Sequence, residues 1–171
     1  MIVERTVTTI SQLMHELNVL PNHFAFRGQA DADWGLQSTM ERAIGKNWCA
    51  ESAKRYETYA LEIFKSKYHI YSGGEHLPKS KLSWLSVMQH YGVPTRLIDF
   101  SMSPYIALYF AMETYDLRSQ KDFSIFAIDY TAIMEASLQH IRSADTKFLE
   151  TRSSLSSKQD EVFDDVVDRY A

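Results

Sequence analysis

Residues 26–29, Phe-Arg-Gly-Gln, form the first of two short stretches whose side chains could bind an anion. The guanidinium of Arg27 is a planar, permanently charged fork that matches the oxygens of a phosphate or a carboxylate. Gly28 has no side chain and so lets a ligand approach the backbone, while Gln29 adds an amide that can bind substrate. A structural ion pair between Arg27 and a buried acid is the alternative.

The second stretch, residues 89–104, combines polar side chains with a turn and a helix start. Ser103 followed by Pro104 is typical of the beginning of a helix, because serine can cap and proline at the first position loses no needed hydrogen bond. Such a start presents unpaired backbone N–H groups and the positive end of the helix dipole, which attract anions. The candidate binding or catalytic residues here are Gln89, His90, Tyr91, Thr95, Arg96, Asp99, Ser101 and Tyr105.

Structural roles remain open for the same side chains. Arg96 and Asp99 could pair with each other or with Arg27 and so staple two strands together. His90 could act as an acid or a base, but a histidine at a helix end more often caps carbonyl groups. Cys49 has no second cysteine as a partner and the histidines lack metal-ligand spacing, so we expect no metal site and a buried Cys49.

The elements that must position these side chains follow from hydrophobic spacing and turn residues. Strands are predicted over residues 23–27, 95–100 and 123–130, and helices over 10–20, 51–68, 82–91, 103–115 and 131–141. Gly28 is expected to end the first strand and to leave Arg27 at a sheet edge. Gly92 is expected to end the helix over residues 82–91 in a left-handed conformation.

These elements mix without the regular alternation of a doubly wound sheet, which favours an α+β fold. We expect a small mixed or antiparallel sheet surrounded by several helices. Ser11 is a plausible cap for the first helix. The expected buried residues of the helix over 103–115 are Ile106, Ala107, Ala111 and either Tyr109 or Phe110.

Length and composition set the class of protein. A chain of 171 residues is an ordinary size for one domain, and we expect a single domain over residues 1–171. The motif-bearing core spans about residues 3–130, and residues 143–171 form a C-terminal segment whose last part has helical spacing. The net charge of −4 argues against coating nucleic acid through bulk charge. No stretch is apolar enough to span a membrane, so the expected location is the cytoplasm.

The two polar stretches, taken with their flanks, resemble the signature of the FRG domain, a module of bacterial and phage proteins. The resemblance rests on residues 26–29, on the step from Trp34 to Leu36, on Arg42, on residues 89–100 (QHYGVPTRLIDF) and on residues 104–111 (PYIALYFA). The block over residues 89–100 is long and unusual, so the resemblance is specific. Domains of this family usually continue beyond the region matched here, so this chain is either a short member or a fragment.

The order of features also resembles the ADP-ribosyltransferase fold, which uses NAD as a substrate. This likeness implies that Arg27 grips the NAD, that Ser101 helps to position it, and that Glu161 holds the ribose as nicotinamide leaves. Glu161 lies in a helical pattern where the fold has a strand start, so Asp99 or Glu113 could take its place. The implied role is an effector of a bacterial toxin or phage-defence system that modifies a nucleic acid or a protein.

Two other functions remain open on the sequence. The same arginines could serve a noncatalytic module that recognises a phosphate-bearing ligand, a nucleic acid, or a partner protein such as an antitoxin. A metal-independent nuclease that uses His90 and Arg96 is a third interpretation. Transfer of label from NAD separates the enzyme from the recognition module.

Overall fold

The computed structural model describes residues 3–70, 77–116, 118 and 121–144. In this part of the chain, six α-helices accompany one two-stranded antiparallel sheet, which confirms the predicted α+β class. The further likeness to the ADP-ribosyltransferase fold stays a prediction. The chain divides into two compact units, residues 1–35 with 99–136 and residues 36–98 with 137–171. The expectation of a single domain also stays a prediction.

The elements follow the predicted order with small shifts at their ends. They are α1 (Ile10–Asn18), β1 (Phe24–Gln29), α2 (Thr39–Ile44), α3 (Ala50–Lys67), α4 (Lys81–His90), α5 (Pro104–Glu113), β2 (Ser124–Asp129) and α6 (Tyr130–Ala144). Single 3₁₀ turns follow α2 at Gly45–Asn47 and α3 at Tyr68–Ile70.

The first unit is built on β1. This strand pairs with β2 from Phe24 opposite Asp129 to Gln29 opposite Ser124. On its other side, Phe26 forms an isolated bridge with Ser101. The prediction that Gly28 ends the strand and leaves Arg27 at an edge is therefore wrong, because β1 continues to Gln29 and has backbone partners on both sides.

Gly28 is needed for the close approach of α5 to β1. A Cβ atom at this position would lie 1.8 Å from the carbonyl oxygen of Ala107 and 2.8 Å from the amide nitrogen of Ala111. Ala107 and Ala111 are accordingly the buried side chains of α5, as predicted. The expected burial of Ile106 and of Tyr109 or Phe110 is wrong, because the contact seam accepts only small residues and the large ones point away.

A small apolar cluster completes this seam. Leu17 of α1 packs with Phe26 of β1 and Ala107 of α5, and partly buried residues surround them. The cap of α1 is Thr9, whose hydroxyl accepts a hydrogen bond from the amide of Gln12. The prediction of Ser11 as the cap is thus wrong by two residues, a common error because helix ends are set by cap geometry and not by hydrophobic spacing.

The core of the second unit joins α3 and α4. Its buried members are Leu61, Phe64, Tyr68, Trp84, Leu85 and Met88. The rings of Phe64 and Trp84 meet edge to face with centroids 6.4 Å apart, a favourable arrangement of the ring quadrupoles. Gly92 ends the second of these helices with φ 77°, which confirms the predicted left-handed cap.

Two predictions in this unit fail for local reasons. Residues 95–100 form no strand, because Thr95 bonds to the start of α2 and Leu97 packs on the core of α3 and α4. Cys49 is exposed and not buried. Its sulfur caps α3 by accepting a hydrogen bond of 3.4 Å from the amide of Ser52. The hydrogen bond with the Ser52 hydroxyl and, after it, the bond from this amide lower the pKa of the Cys49 thiol.

Candidate functional site

Arg27 lies in the middle of β1 and is half-buried. Its Nη1 donates a hydrogen bond of 2.9 Å to the carbonyl oxygen of Asp99. This bond fixes the guanidinium beside the segment that leads from Asp99 to α5. The carboxylate of Asp99 belongs to an exposed residue, so it lies at the surface of the same region.

Ser101 continues that segment next to β1. Its backbone exchanges two hydrogen bonds with Phe26, of 2.7 Å and 2.8 Å. Its hydroxyl oxygen accepts a hydrogen bond of 3.0 Å from the amide of Ser103. The segment that contains Ser101 therefore runs next to β1, with Ser101 opposite Phe26, the neighbour of Arg27.

The start of α5 follows directly. Ser103 occupies the cap position, but its side chain makes no capping hydrogen bond. Pro104 has no N–H, so the amides of Tyr105 and Ile106 are the donors of the first turn, and no side chain of the described residues caps them. The ring of Tyr105 is 60% exposed and stands at this end of the helix. Such a terminus favours an anion.

Gln29 lies two residues after Arg27, so both side chains leave the same face of β1. It is only 6% exposed, and its Nε2 donates to the carbonyl of Gly35 at 3.4 Å. Among the described residues, neither its Oε1 nor the hydroxyl of Ser124, its partner across the ladder, has a hydrogen-bond partner, although both atoms are buried. Unsatisfied buried polar groups cost about 1–3 kcal/mol each, so this end of the sheet is suited to a polar ligand.

Arg96 belongs to the second unit and has a protein partner there. Its Nε donates a hydrogen bond of 2.6 Å to one carboxylate oxygen of Glu57, and its Nη2 donates a hydrogen bond to the other. Lys81 lies 3.0 Å from the same carboxylate. Burial alone would raise the pKa of Glu57, but hydrogen bonds from Arg96 and Lys81 outweigh it and hold that pKa below its ordinary value.

Thr95 and Gln89 also bond to protein groups of the second unit. The Thr95 hydroxyl donates a hydrogen bond of 2.5 Å to Oε1 of Gln89. The main chain of Thr95 forms hydrogen bonds with Thr39 and Met40 at the start of α2. Thr95 is fully buried. These contacts join α2 to α4, which gives Thr95 a structural role in addition to the substrate-binding role expected of it.

His90 and Tyr91 end α4, and both are exposed. Their rings meet nearly edge to face with centroids 5.5 Å apart, and the Tyr91 ring lies 5.9 Å from Phe64. Tyr91 is thus attached to the core of its unit by one side of its ring. The catalytic role of His90 and the binding role of Tyr91 stay predictions.

The comparisons with known proteins address the family. The model of the FRG domain matches residues 22–120. This chain belongs to the FRG domain family. No curated protein and no solved structure matches it. The match confirms the resemblance and covers β1 through α5, so Arg27, Ser101 and the residues between them lie inside the FRG domain.

Within this FRG domain, the candidates form two groups. Arg27, Gln29, Asp99, Ser101 and Tyr105 lie in the first unit, where Arg27 bonds to the main chain of Asp99 and Ser101 bridges to Phe26, the residue before Arg27. Gln89, His90, Tyr91, Thr95 and Arg96 lie in the second unit. Glu161 and the rest of the C-terminal segment over residues 145–171 lie outside the described residues and outside the family match.

The FRG domain also holds residues that the sequence analysis missed. Glu57 was part of a helix interpreted as scaffold, yet it precedes Leu61, Phe64 and Tyr68 at helical spacing on the buried face. An acid on such a stripe indicates a buried ion pair. In the described part of the chain, no group of three metal-ligating residues occurs, and no helix has the length and apolarity to cross a bilayer.

Proposed function

We propose that this FRG domain is an ADP-ribosyltransferase-like effector that binds NAD at Arg27 and Ser101 and modifies a nucleic acid or a protein. One observation carries the proposal. The guanidinium of Arg27 is fixed beside the segment that contains Ser101 and leads into the uncapped first turn of α5. A guanidinium and free helix amides are both suited to the diphosphate of NAD.

Each residue has a defined task in this proposal. Arg27 and the amides of the first turn of α5 hold phosphate oxygens, and the Ser101 hydroxyl donates to the ligand. The buried Oε1 of Gln29 accepts from a ligand hydroxyl. Bound NAD would supply a ribose whose anomeric carbon is bonded to nicotinamide. That bond breaks and its electron pair leaves with nicotinamide. The nucleophile of the target bonds to the anomeric carbon and loses a proton.

A carboxylate must assist this step, and Asp99 is the better placed of the described candidates. It stands two residues before Ser101 and is exposed at the Arg27 segment. Glu113 ends α5, about 15 Å along the helix from its start. Its carboxylate also accepts a hydrogen bond of 2.9 Å from Tyr109. Glu161 remains the acid implied by the resemblance to the ADP-ribosyltransferase fold.

Labelled NAD tests the proposal directly. The purified protein, incubated with labelled NAD and cell lysate, is expected to transfer label to a macromolecule, and protease and nuclease digestion then identify its class. Arg27→Ala is expected to lower transfer about a hundredfold, the usual cost of losing one charge-stabilising donor from a reaction site. Arg27→Lys keeps the charge without the fork and should give partial activity at most.

Arg118→Ala is the matched control for this experiment. Arg118 belongs to the same unit and is exposed, and within the described part of the chain its one hydrogen bond is from its main-chain amide to Asp116. We expect full transfer from this variant. Equal transfer from wild type and Arg27→Ala, with both proteins folded by circular dichroism, would refute the assignment of Arg27.

Noncatalytic recognition is the second candidate, and one contact favours it. The bond to the main-chain carbonyl of Asp99 orients the guanidinium of Arg27, and an oriented guanidinium can hold a phosphate without a catalytic acid. In this case the FRG domain binds a phosphate-bearing ligand or partner, for instance an antitoxin, within a toxin or phage-defence system. NAD binding that Arg27→Ala weakens, without any transfer of label, would favour this function.

A further inference from the structure

A cavity of about 370 Å³ opens at the end of α2, in the second unit. Its lining residues are Gln37, Glu41, Arg42, Gly45 and Trp48. None of them takes part in the proposed NAD site. The volume lies within the roughly 300–1,000 Å³ that small-molecule sites occupy.

The local fold builds this cavity from a short helix and a tight turn. Ser38 and Glu41 form a capping box that starts α2, with the Glu41 carboxylate accepting from the Ser38 amide at 2.5 Å. The helix stops at Gly45, which has φ 58° and no atom within 4 Å of the place where a Cβ would stand. The amide of Trp48 then bonds back to the Gly45 carbonyl at 3.0 Å, so the indole returns to the cavity wall.

Arg42 supplies a positive charge to this wall. Its Nη1 donates a hydrogen bond of 2.8 Å to the carbonyl oxygen of Gln37, and this bond orients the guanidinium. Among the described residues it forms no ion pair, and it is exposed. An oriented guanidinium without an acidic partner retains N–H groups for an incoming anion.

Trp48 and Glu41 restrict what that anion can be. The Trp48 side chain is 42% exposed, so it offers an aromatic surface on which a planar ring can stack. The Glu41 carboxylate uses one oxygen in the capping box and can accept from a ligand N–H group with the other. A ligand that satisfies all three residues must have an anionic group, a flat ring and an N–H donor on that ring.

We propose that this cavity is a nucleotide site, with the base stacked on Trp48, the phosphate on Arg42, and a base amino group donating to Glu41. Carboxylates accept from base amino groups in this manner, and indole rings are common stacking partners of bases. A phosphorylated peptide lacks a ring that carries an N–H donor beside its phosphate, so it fits less well. The nucleotide can be free or part of a single strand.

Titration calorimetry with defined ligands tests the site. The ligands are AMP, adenosine, UMP, NAD and an unstructured adenine hexanucleotide. We expect AMP to bind more tightly than adenosine, which lacks the phosphate, and than UMP, which has a ring N–H but no amino group and a smaller ring to stack on Trp48. Hexanucleotide binding more than about tenfold tighter than AMP indicates a strand as the natural ligand, because further bases and phosphates then add contacts.

Matched variants connect binding to the cavity. Trp48→Ala and Arg42→Ala are each expected to weaken AMP binding about tenfold, within the range measured for removing one stacking ring or one phosphate contact. Trp34→Ala and Arg55→Ala are the controls, because Trp34 is 55% exposed, Arg55 is exposed, and neither lines the cavity. Both controls should stay within twofold of wild type. Trp48→Phe keeps an aromatic ring and should restore most of the affinity lost in Trp48→Ala.

The result that would overturn the proposal is equally defined. It is refuted if none of the ligands binds at millimolar concentration, or if Trp48→Ala and Arg42→Ala, folded by circular dichroism, bind AMP as wild type does. The outcome is separate from that of the NAD-transfer proposal. Arg27→Ala should bind AMP normally, and the loss of label transfer in that variant should occur whether or not AMP binds.

Discussion

Substituting Gly28 with alanine is expected to destabilise the protein by about 3 kcal/mol, the upper end of the cost of over-packing a tight contact. The added Cβ would stand 1.8 Å from the Ala107 carbonyl oxygen, and the two next nearest atoms, 2.8 Å away, are also backbone atoms of α5. No side chain can rotate to make room. The whole of α5 must therefore move away from β1, which opens the cluster of Leu17, Phe26 and Ala107.

Thermal and chemical denaturation measure this effect. For a chain of this length, 3 kcal/mol corresponds to a fall in Tm of roughly 6–12 °C. Gly45→Ala is the matched control, because Gly45 has φ 58° but open space around it, so only backbone strain of about 1 kcal/mol applies. A Tm for Gly28→Ala at or above that of Gly45→Ala would contradict the close packing of α5 on β1.

Substituting Glu57 with glutamine is expected to cost about 3 kcal/mol, near the lower end measured for breaking a buried ion pair. The Glu57 side chain is 2% exposed, and Arg96 and Lys81 both depend on its charge, with side chains 25% and 19% exposed. Because the two cations retain some access to water, the loss stays below that for a fully enclosed pair. Glu62→Gln, an exposed position on the same helix, is the control and should change stability by less than about 0.5 kcal/mol.

The pH dependence identifies the cause of that loss. The pKa of Glu57 is lower in the folded protein than its ordinary value of 4.5, so its charge stabilises the fold above pH 4.5. That contribution disappears as the pH falls through the lowered folded pKa. The difference in the free energy of unfolding between wild type and Glu57→Gln should therefore be full at pH 7 and shrink below about pH 4.5. A difference that is constant with pH would indicate a packing defect instead.

The same contact changes what is expected of Arg96. If Arg96 were a binding residue alone, Arg96→Ala would weaken ligand binding and leave thermal stability nearly intact. With its guanidinium bonded to the buried Glu57 carboxylate, we now expect a loss of stability as well. A structural pair for Arg96 was the alternative interpretation, and the structure shows Glu57 as a partner of Arg96.

How far the sequence determines this fold depends on the kind of signal. Cap and turn residues act locally, so the Ser103–Pro104 start and Gly92 located their helix ends well. The orientation of α5 could not be read, because a helix that is apolar all round has no hydrophobic face to detect. Its orientation is set by Gly28, a distant residue whose small size was interpreted as a turn signal.

The candidate site divides in the same way. The strand position of Arg27 followed from the residue pattern, and the structure bonds its guanidinium to the main chain of Asp99 and pairs the neighbouring Phe26 with Ser101. Glu57 escaped notice because its partner Arg96 is 39 residues away in sequence. Two residues that pair over such a distance leave no spacing pattern in the sequence. The one available signal was the position of an acid on the buried face of α3.

The hydroxyl of Ser101 gives the proposed site a direction. Its oxygen is already engaged by the Ser103 amide, while its hydrogen can still turn toward a guest molecule. A ligand with acceptor oxygens can accept a hydrogen bond from the Ser101 hydroxyl. A ligand with N–H or O–H donors meets a Ser101 oxygen that has only one lone pair left. The rotation of this one hydroxyl group would thus favour ligands that present hydrogen-bond acceptors over ligands that present donors.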